Sequence, residues 1–151
     1  MEEATAETYI SIAECTGAFT PAEIEVLREV LDDWYHNTDT TYMLLDEKVD
    51  HTIAGFVIFG RSPMTEFSWD IYWLVVNKPS QGRGIGKTLL RKVYEFITHT
   101  DRRATIRVET AGKEGYAHTR NFYRSAGFTE VGRIPDFYSQ GDDLVILHRV
   151  V

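Results

Sequence analysis

The sequence predicts a mixed α/β domain, and three observations carry that expectation. Strand-type runs come one after another in the first half and give way to a strand–helix–strand–helix–strands order, which fits a mixed sheet and not a purely parallel one. A stripe of Ile85, Leu89, Leu90, Val93, Phe96 and Ile97 recurs at helical spacing directly behind a cluster of glycines. The 151 residues are 43% hydrophobic and 26% charged, the size and composition of one globular domain with one core, expected to span residues 1–151.

Taken in order, Thr20-Pro21-Ala22-Glu23 reads as a helix start: Thr20 as cap, Pro21 at the first helical position, Glu23 closing the capping box. Ile24, Leu27, Val30, Leu31 and Trp34 carry that helix to about His36. Thr41–Leu45 and Ile53–Phe59 read as strands with a polar turn around Asp46–His51, and Arg61–Glu66 as a loop marked by Ser62-Pro63. Phe67–Asn77, rich in aromatic and β-branched residues, is the strongest strand signal. Behind the apolar stripe, Ala104–Val108 reads as a strand and Tyr116–Ser125 as a helix with Gly127 at its C-terminal cap. Phe128–Val131 and Asp143–Val150 are the last predicted strands.

The formal net charge of −7 argues against nucleic acid as the main partner, because such binding depends on clustered positive charge. The acidic start Met1-Glu2-Glu3-Ala4 lacks the layout of a signal peptide, and no apolar run approaches the roughly 20 residues that span a bilayer. With Cys15 the single cysteine, no internal disulfide can form. The expectation is a cytoplasmic protein with neither a membrane nor a nucleic-acid partner.

One stretch asks for a ligand: Gln81-Gly82-Arg83-Gly84-Ile85-Gly86-Lys87-Thr88. It ends like a nucleotide-binding P-loop, but that loop needs its first glycine at position 81, where this chain has Gln. The dinucleotide fingerprint fails as well, since Gly82 and Gly84 fit but Lys87 stands where a third glycine belongs. A third template, Gln/Arg-x-x-Gly-x-Gly/Ala, is met by Gln81, Gly84 and Gly86. Glycines at a helix N-terminus let backbone N–H groups approach an anion. The local charge agrees: Ile71–Tyr94 contains no acidic residue but holds Lys78, Arg83, Lys87, Arg91 and Lys92.

On these residues the chain resembles the GCN5-related N-acetyltransferase (GNAT) superfamily, whose loop of this form binds the acetyl-CoA pyrophosphate. A second motif, Phe122-Tyr123 followed by Gly127-Phe128, resembles the closing motif of the same family, and the likeness runs over roughly Ile53–Val150. The resemblance implies a mostly antiparallel central sheet flanked by helices. It also implies a donor site on Leu74, Val75, Val76, Gln81, Gly82, Arg83, Gly84, Ile85, Gly86, Lys87 and Thr88, with acetyl-CoA as cosubstrate. Family members often dimerise, so a homodimer is open. One departure stands out: many members carry an Asn seven residues before the tyrosine, and here that position is Tyr116.

The implied chemistry needs a neutral amine, yet only about one lysine-like amine in 10³ is neutral at pH 7. A general base typically contributes ~10²–10⁴-fold. Asp70, eleven residues before Gln81, stands where histone-acetylating relatives place a glutamate base; Glu109, at the end of the next strand, is a second candidate and Glu66 a weaker third. The resemblance assigns the oxyanion donor to a backbone N–H at Val75 or Val76, and the acid that protonates the leaving thiolate to Tyr123. The histidines His36, His51, His99, His118 and His148 are scattered without metal-ligand spacing, so no metal is expected. Asp70, Glu109, Asp136, Asp142 and Asp143 could favour a cationic acceptor amine. The expected function is transfer of acetyl from acetyl-CoA to a primary amine of a small molecule or peptide. The alternatives are a non-catalytic acyl-CoA-binding regulatory module and, disfavoured by Gln81, a P-loop nucleotide enzyme.

Overall fold

In a computed structural model the described residues are 4–36 and 41–151. They form helices α1 (Ala6–Thr16), α2 (Pro21–Tyr35), α3 (Ile85–Thr100) and α4 (Ala117–Ser125) and strands β1 (Met43–Val49), β2 (Thr52–Arg61), β3 (Ser68–Val76), β4 (Thr105–Ala111), β5 (Thr129–Ser139) and β6 (Asp142–Val150). The strands make one sheet in the order β1-β2-β3-β4-β6-β5. β3 and β4 run parallel, whereas β1–β2, β4–β6 and β5–β6 are antiparallel, so the sheet is mixed and mostly antiparallel, as expected. The chain divides into two compact units, Met1–Gly60 with Trp73–Glu95 and Arg61–Tyr72 with Phe96–Val151.

In the first unit α2 begins as its sequence dictates. The Thr20 hydroxyl accepts from the Glu23 amide while the Glu23 carboxylate accepts from the Thr20 amide, and Pro21 occupies the first turn. Leu27 and Leu31, one turn apart, are fully buried with Phe56 and Ile58 of β2; burial of each such side chain stabilises by roughly 1.5–3 kcal/mol. Helix α1 was not expected. It adds Tyr9, Ile10 and Ala13 to the same core, and the Tyr9 ring meets Phe56 edge-on at 5.1 Å. Its N-cap Thr5 makes no side-chain bond, so only Gly17, left-handed at the other end, marks it in the sequence.

The hairpin of β1 and β2 is tighter than the predicted turn at Asp46–His51. Asp46–Val49 remain in the strand and the turn is Asp50-His51 alone, both at positive φ (50° and 65°). Such two-residue turns favour Asn-Gly, and an Asp-His pair gives little signal. Gly55 on β2 is required for a different reason. A Cβ there would stand 2.7 Å from the Val75 carbonyl oxygen and 3.1 Å from the Ile85 side chain, so only glycine lets α3 settle on this strand.

In the second unit β5 is longer than the expected Phe128–Val131. It pairs with β6 out to Ser139 through two irregularities, one of them around Pro135 and Asp136. The proline is tolerated because β5 is the outer strand of the sheet. Tyr116 is the N-cap of α4 rather than its first residue.

Candidate active site

The glycine loop follows β3 within the first unit. The β3 end is held in place where the Asn77 amide donates to the Ala54 carbonyl (2.7 Å). A single 3₁₀ turn, Lys78–Ser80, leads to Gln81, whose Nε2 reaches back to the Val76 carbonyl at 3.2 Å. Gln81 thereby closes the loop on its own strand, which gives the motif's first position a structural task. Gly82 and Gly84 are both left-handed (φ 78° and 79°), and the space a Cβ would fill is open at each. Backbone strain therefore selects glycine there, and the loop backbone is open to a ligand.

Gly84 caps α3: its carbonyl accepts from both the amide and the hydroxyl of Thr88, each at 3.1 Å. The amides of Ile85, Gly86 and Lys87 precede the first intrahelical bond, the arrangement that attracts phosphate oxygens. Buried Ile85, Leu89, Leu90 and Val93 anchor this helix end, and Val75 is buried in the α1–α2 core. Leu74 and Val76 are half-buried on the last turn of strand before the loop. Lys78, Arg83, Lys87 and Arg91 are exposed. Lys92 is not part of that cationic surface, because its Nζ is held by the Glu47 carboxylate (2.6 Å) and the Asp46 carbonyl (2.7 Å).

The second unit holds the other candidates. Tyr123 is buried at 4% exposure. The Phe128 amide donates to the Tyr123 carbonyl (3.0 Å), the Gly127 amide donates to that of Arg124 (3.0 Å), Gly127 is left-handed at φ 92°, and the Phe128 ring meets the Tyr123 ring at 5.3 Å. Those are the two bonds and the apolar contact of a Schellman helix stop. Gly127 and Phe128 are thus explained by helix termination, and Tyr123 is held as part of it.

Asp70 is buried, and both its oxygens are engaged: Oδ2 accepts from the Ser62 hydroxyl and Oδ1 from Arg107 Nε, each at 2.6 Å. Asp70 and Arg107 are register partners on the parallel β3–β4 pair, which places both side chains on one face. Glu109, two residues further along β4, brings Oε1 to 3.8 Å from Arg107 NH1. The structure thus joins two predicted carboxylates through an arginine the sequence reading missed. Asp70, chiefly through its hydrogen bond, pushes the Arg107 guanidinium above its ordinary pKa. Glu66 is exposed in the β2–β3 loop, where its carbonyl accepts from Arg61.

The acidic residues near the last strands do not form a negative surface either. Lys113 pairs with Asp142 and Arg133 with Asp143, and Asp136 is spent on its hairpin, accepting from the Gly141 amide at 2.7 Å. Tyr116, at the position of the missing Asn, lies under the Lys113 ammonium at 5.3 Å. Cys15 is exposed. Among the described residues no group of three His, Cys, Asp or Glu side chains is arranged to hold a metal ion, and no helix is long and apolar enough to cross a membrane.

Known proteins with the same features identify the family. Residues 38–130, more than half of the chain, match the model of the acetyltransferase (GNAT) domain, and the chain belongs to that family. It is similar to a solved GNAT-family protein from Desulfovibrio desulfuricans, 34% identical with a TM-score of 0.88, covering 95% of this chain and 90% of that one. An aminoglycoside 6′-N-acetyltransferase solved with coenzyme A shares the fold at 14% identity, TM-score 0.73, over 96% of this chain and 89% of that one. The N-alpha-acetyltransferase RimI of Mycobacterium tuberculosis is 32% identical over 97 residues, 64% of this chain and 56% of that protein. The two curated relatives are longer than the match, which spans 56% of one and 25% of the other.

Proposed function

We propose that this protein is an acetyl-CoA-dependent N-acetyltransferase that moves acetyl directly to a primary amine, with residues 1–151 acting as one domain. The observation that carries the reading is the loop: open glycines at 82 and 84, three helix-start amides ahead of the first intrahelical bond, and exposed Arg83 and Lys87 beside them. These fit the diphosphate of CoA, and the bound donor supplies an activated thioester. Leu74, Val75 and Val76 line the strand side of the donor, and a Val75 or Val76 amide donates to the developing oxyanion. Tyr123 serves as the acid, since a phenol is protonated at neutral pH. Of the base candidates we favour Glu109: it is half exposed and keeps oxygens for a proton, whereas each oxygen of Asp70 already accepts a hydrogen bond.

The burial of Tyr123 and the engagement of Asp70 favour a second reading, an acyl-CoA-binding regulatory module without turnover. Calorimetry with acetyl-CoA, followed by a turnover screen over amino acids, N-terminal peptides, polyamines and aminoglycosides, separates them. The enzyme reading expects turnover with one class; tight donor binding with no acetylation of any acceptor selects the module. Binding of ATP·Mg without CoA would refute both.

A further inference from the structure

We propose that Arg107 and Glu109 form a recognition pair for an acceptor that carries a carboxylate beside its amine, that is, a free amino acid or a compound of that class. The proposal rests on the acetyltransferase reading above and narrows its substrate.

Arg107 is built as a presented cation. Its Nε edge is fixed at 2.6 Å to Asp70, whose side chain is only 8% exposed and is itself secured by the Ser62 hydroxyl, while Arg107 remains 49% exposed. One donor of the five on a guanidinium is used, and among the described residues NH1 and NH2 make no hydrogen bond. The second carboxylate beside it, that of Glu109, stays at 3.8 Å from NH1, an ion-pair separation beyond hydrogen-bond reach. The result is a fork oriented before any ligand arrives, so little rotamer entropy is lost on binding a carboxylate.

Glu109 is two residues from Arg107 on β4 and therefore on the same face. A positive fork and a negative carboxylate side by side match an ammonium and a carboxylate on one small molecule. The same arrangement works against purely cationic acceptors such as polyamines, whose extra charges meet Arg107. Pairing of Asp142 with Lys113 and of Asp143 with Arg133 removes the acidic surface that would otherwise attract them.

The test compares free amino acids with their amides, in wild-type protein and in Arg107→Ala and Arg107→Lys. Donor binding is read by calorimetry with CoA. Acceptor-side binding is read with N-acetylamino acids against N-acetylamino acid amides at saturating CoA, and turnover as kcat/KM. Wild-type protein should favour the free acid by roughly 10- to 100-fold, the range of a hydrogen bond between charged groups. Arg107→Ala should abolish that preference and Arg107→Lys should keep part of it, with CoA affinity within about twofold of wild type. Equal treatment of acid and amide by the wild type, better turnover of polyamines, or equal losses for acid and amide in both variants would overturn the proposal. Failure of the wild type to bind CoA refutes the acetyltransferase reading itself, and the proposal with it. CoA binding without a carboxylate preference refutes the proposal alone.

Discussion

The glycine loop and the Asp70–Arg107 face, the two anion sites proposed above, are built by opposite means. The loop relies on main-chain groups: left-handed Gly82 and Gly84 shape it, Gln81 ties it to Val76, and the start of α3 supplies the amides. All of that lies within the twelve consecutive residues from Val76 to Lys87. The sheet face relies on side chains from separate strands, Ser62 and Asp70 around β3 and Arg107 and Glu109 on β4, and exists only once those strands pair. A site made of backbone is specified locally and tolerates many side chains. A site made of side chains depends on register and fails when one partner changes.

The sharpest break in that comparison is Tyr123→Phe. If the phenol is the acid, kcat should fall by roughly 10²–10⁴-fold. Stability should change by less than about 1 kcal/mol, because the ring still packs on Phe128 at the helix stop. Unchanged kcat, measured by thiol release at saturating substrates, would leave Tyr123 with its capping role only. Next in size, Gly84→Val should weaken acetyl-CoA binding at least tenfold and cost about 1–2 kcal/mol in urea unfolding, since the residue must adopt φ 79°. Retention of full donor affinity would show that the loop backbone is not the anion site.

Asp70→Asn addresses the other region. It leaves Arg107 without its hydrogen-bonded counter-charge and should cost about 1–3 kcal/mol, less than a fully buried pair because Arg107 is half in water. Its effect on CoA affinity should be far smaller than that of Gly84→Val, and calorimetry on both variants makes the contrast. The smallest effect concerns Asp101, whose carboxylate accepts from Arg61 at 3.0 Å and from Trp69 Nε1 at 2.8 Å and is thereby held below its ordinary pKa. A lowered folded-state value stabilises the protein above the unfolded pKa and is lost as pH falls through the folded one. Asp101→Asn should therefore flatten the acid limb of stability below about pH 4, by less than about 1 kcal/mol at neutral pH. An unaltered acid limb in thermal unfolding would show that other carboxylates set it.

Local signals were readable where a few adjacent residues carry a complete physical instruction. The Thr20–Glu23 capping box, the stripe of α3 and the Gly127 stop all appear where the sequence puts them, because each is closed by bonds within five residues. Readings failed where the instruction is weak or distant. α1 has an N-cap without a side-chain bond; the Asp50-His51 turn lacks glycine; β5 continues past a proline because it lies at the sheet edge. Lys92 looked like part of the anion surface because nothing in its own stretch shows that Glu47, forty-five residues earlier, takes its charge.

The sequence alone therefore determined the family and the backbone-built loop, since spacing and glycine conformation are properties of contiguous residues. Only the tertiary structure decided what the carboxylates are bonded to. Asp70 read by itself is a candidate base; set opposite Arg107 across a parallel strand pair, with Ser62 on its other oxygen, it is a buried anchor. The physical reason is that the electrostatics of a charged side chain belong to whatever stands within a few ångströms of it, and for strands that neighbour is chosen by register.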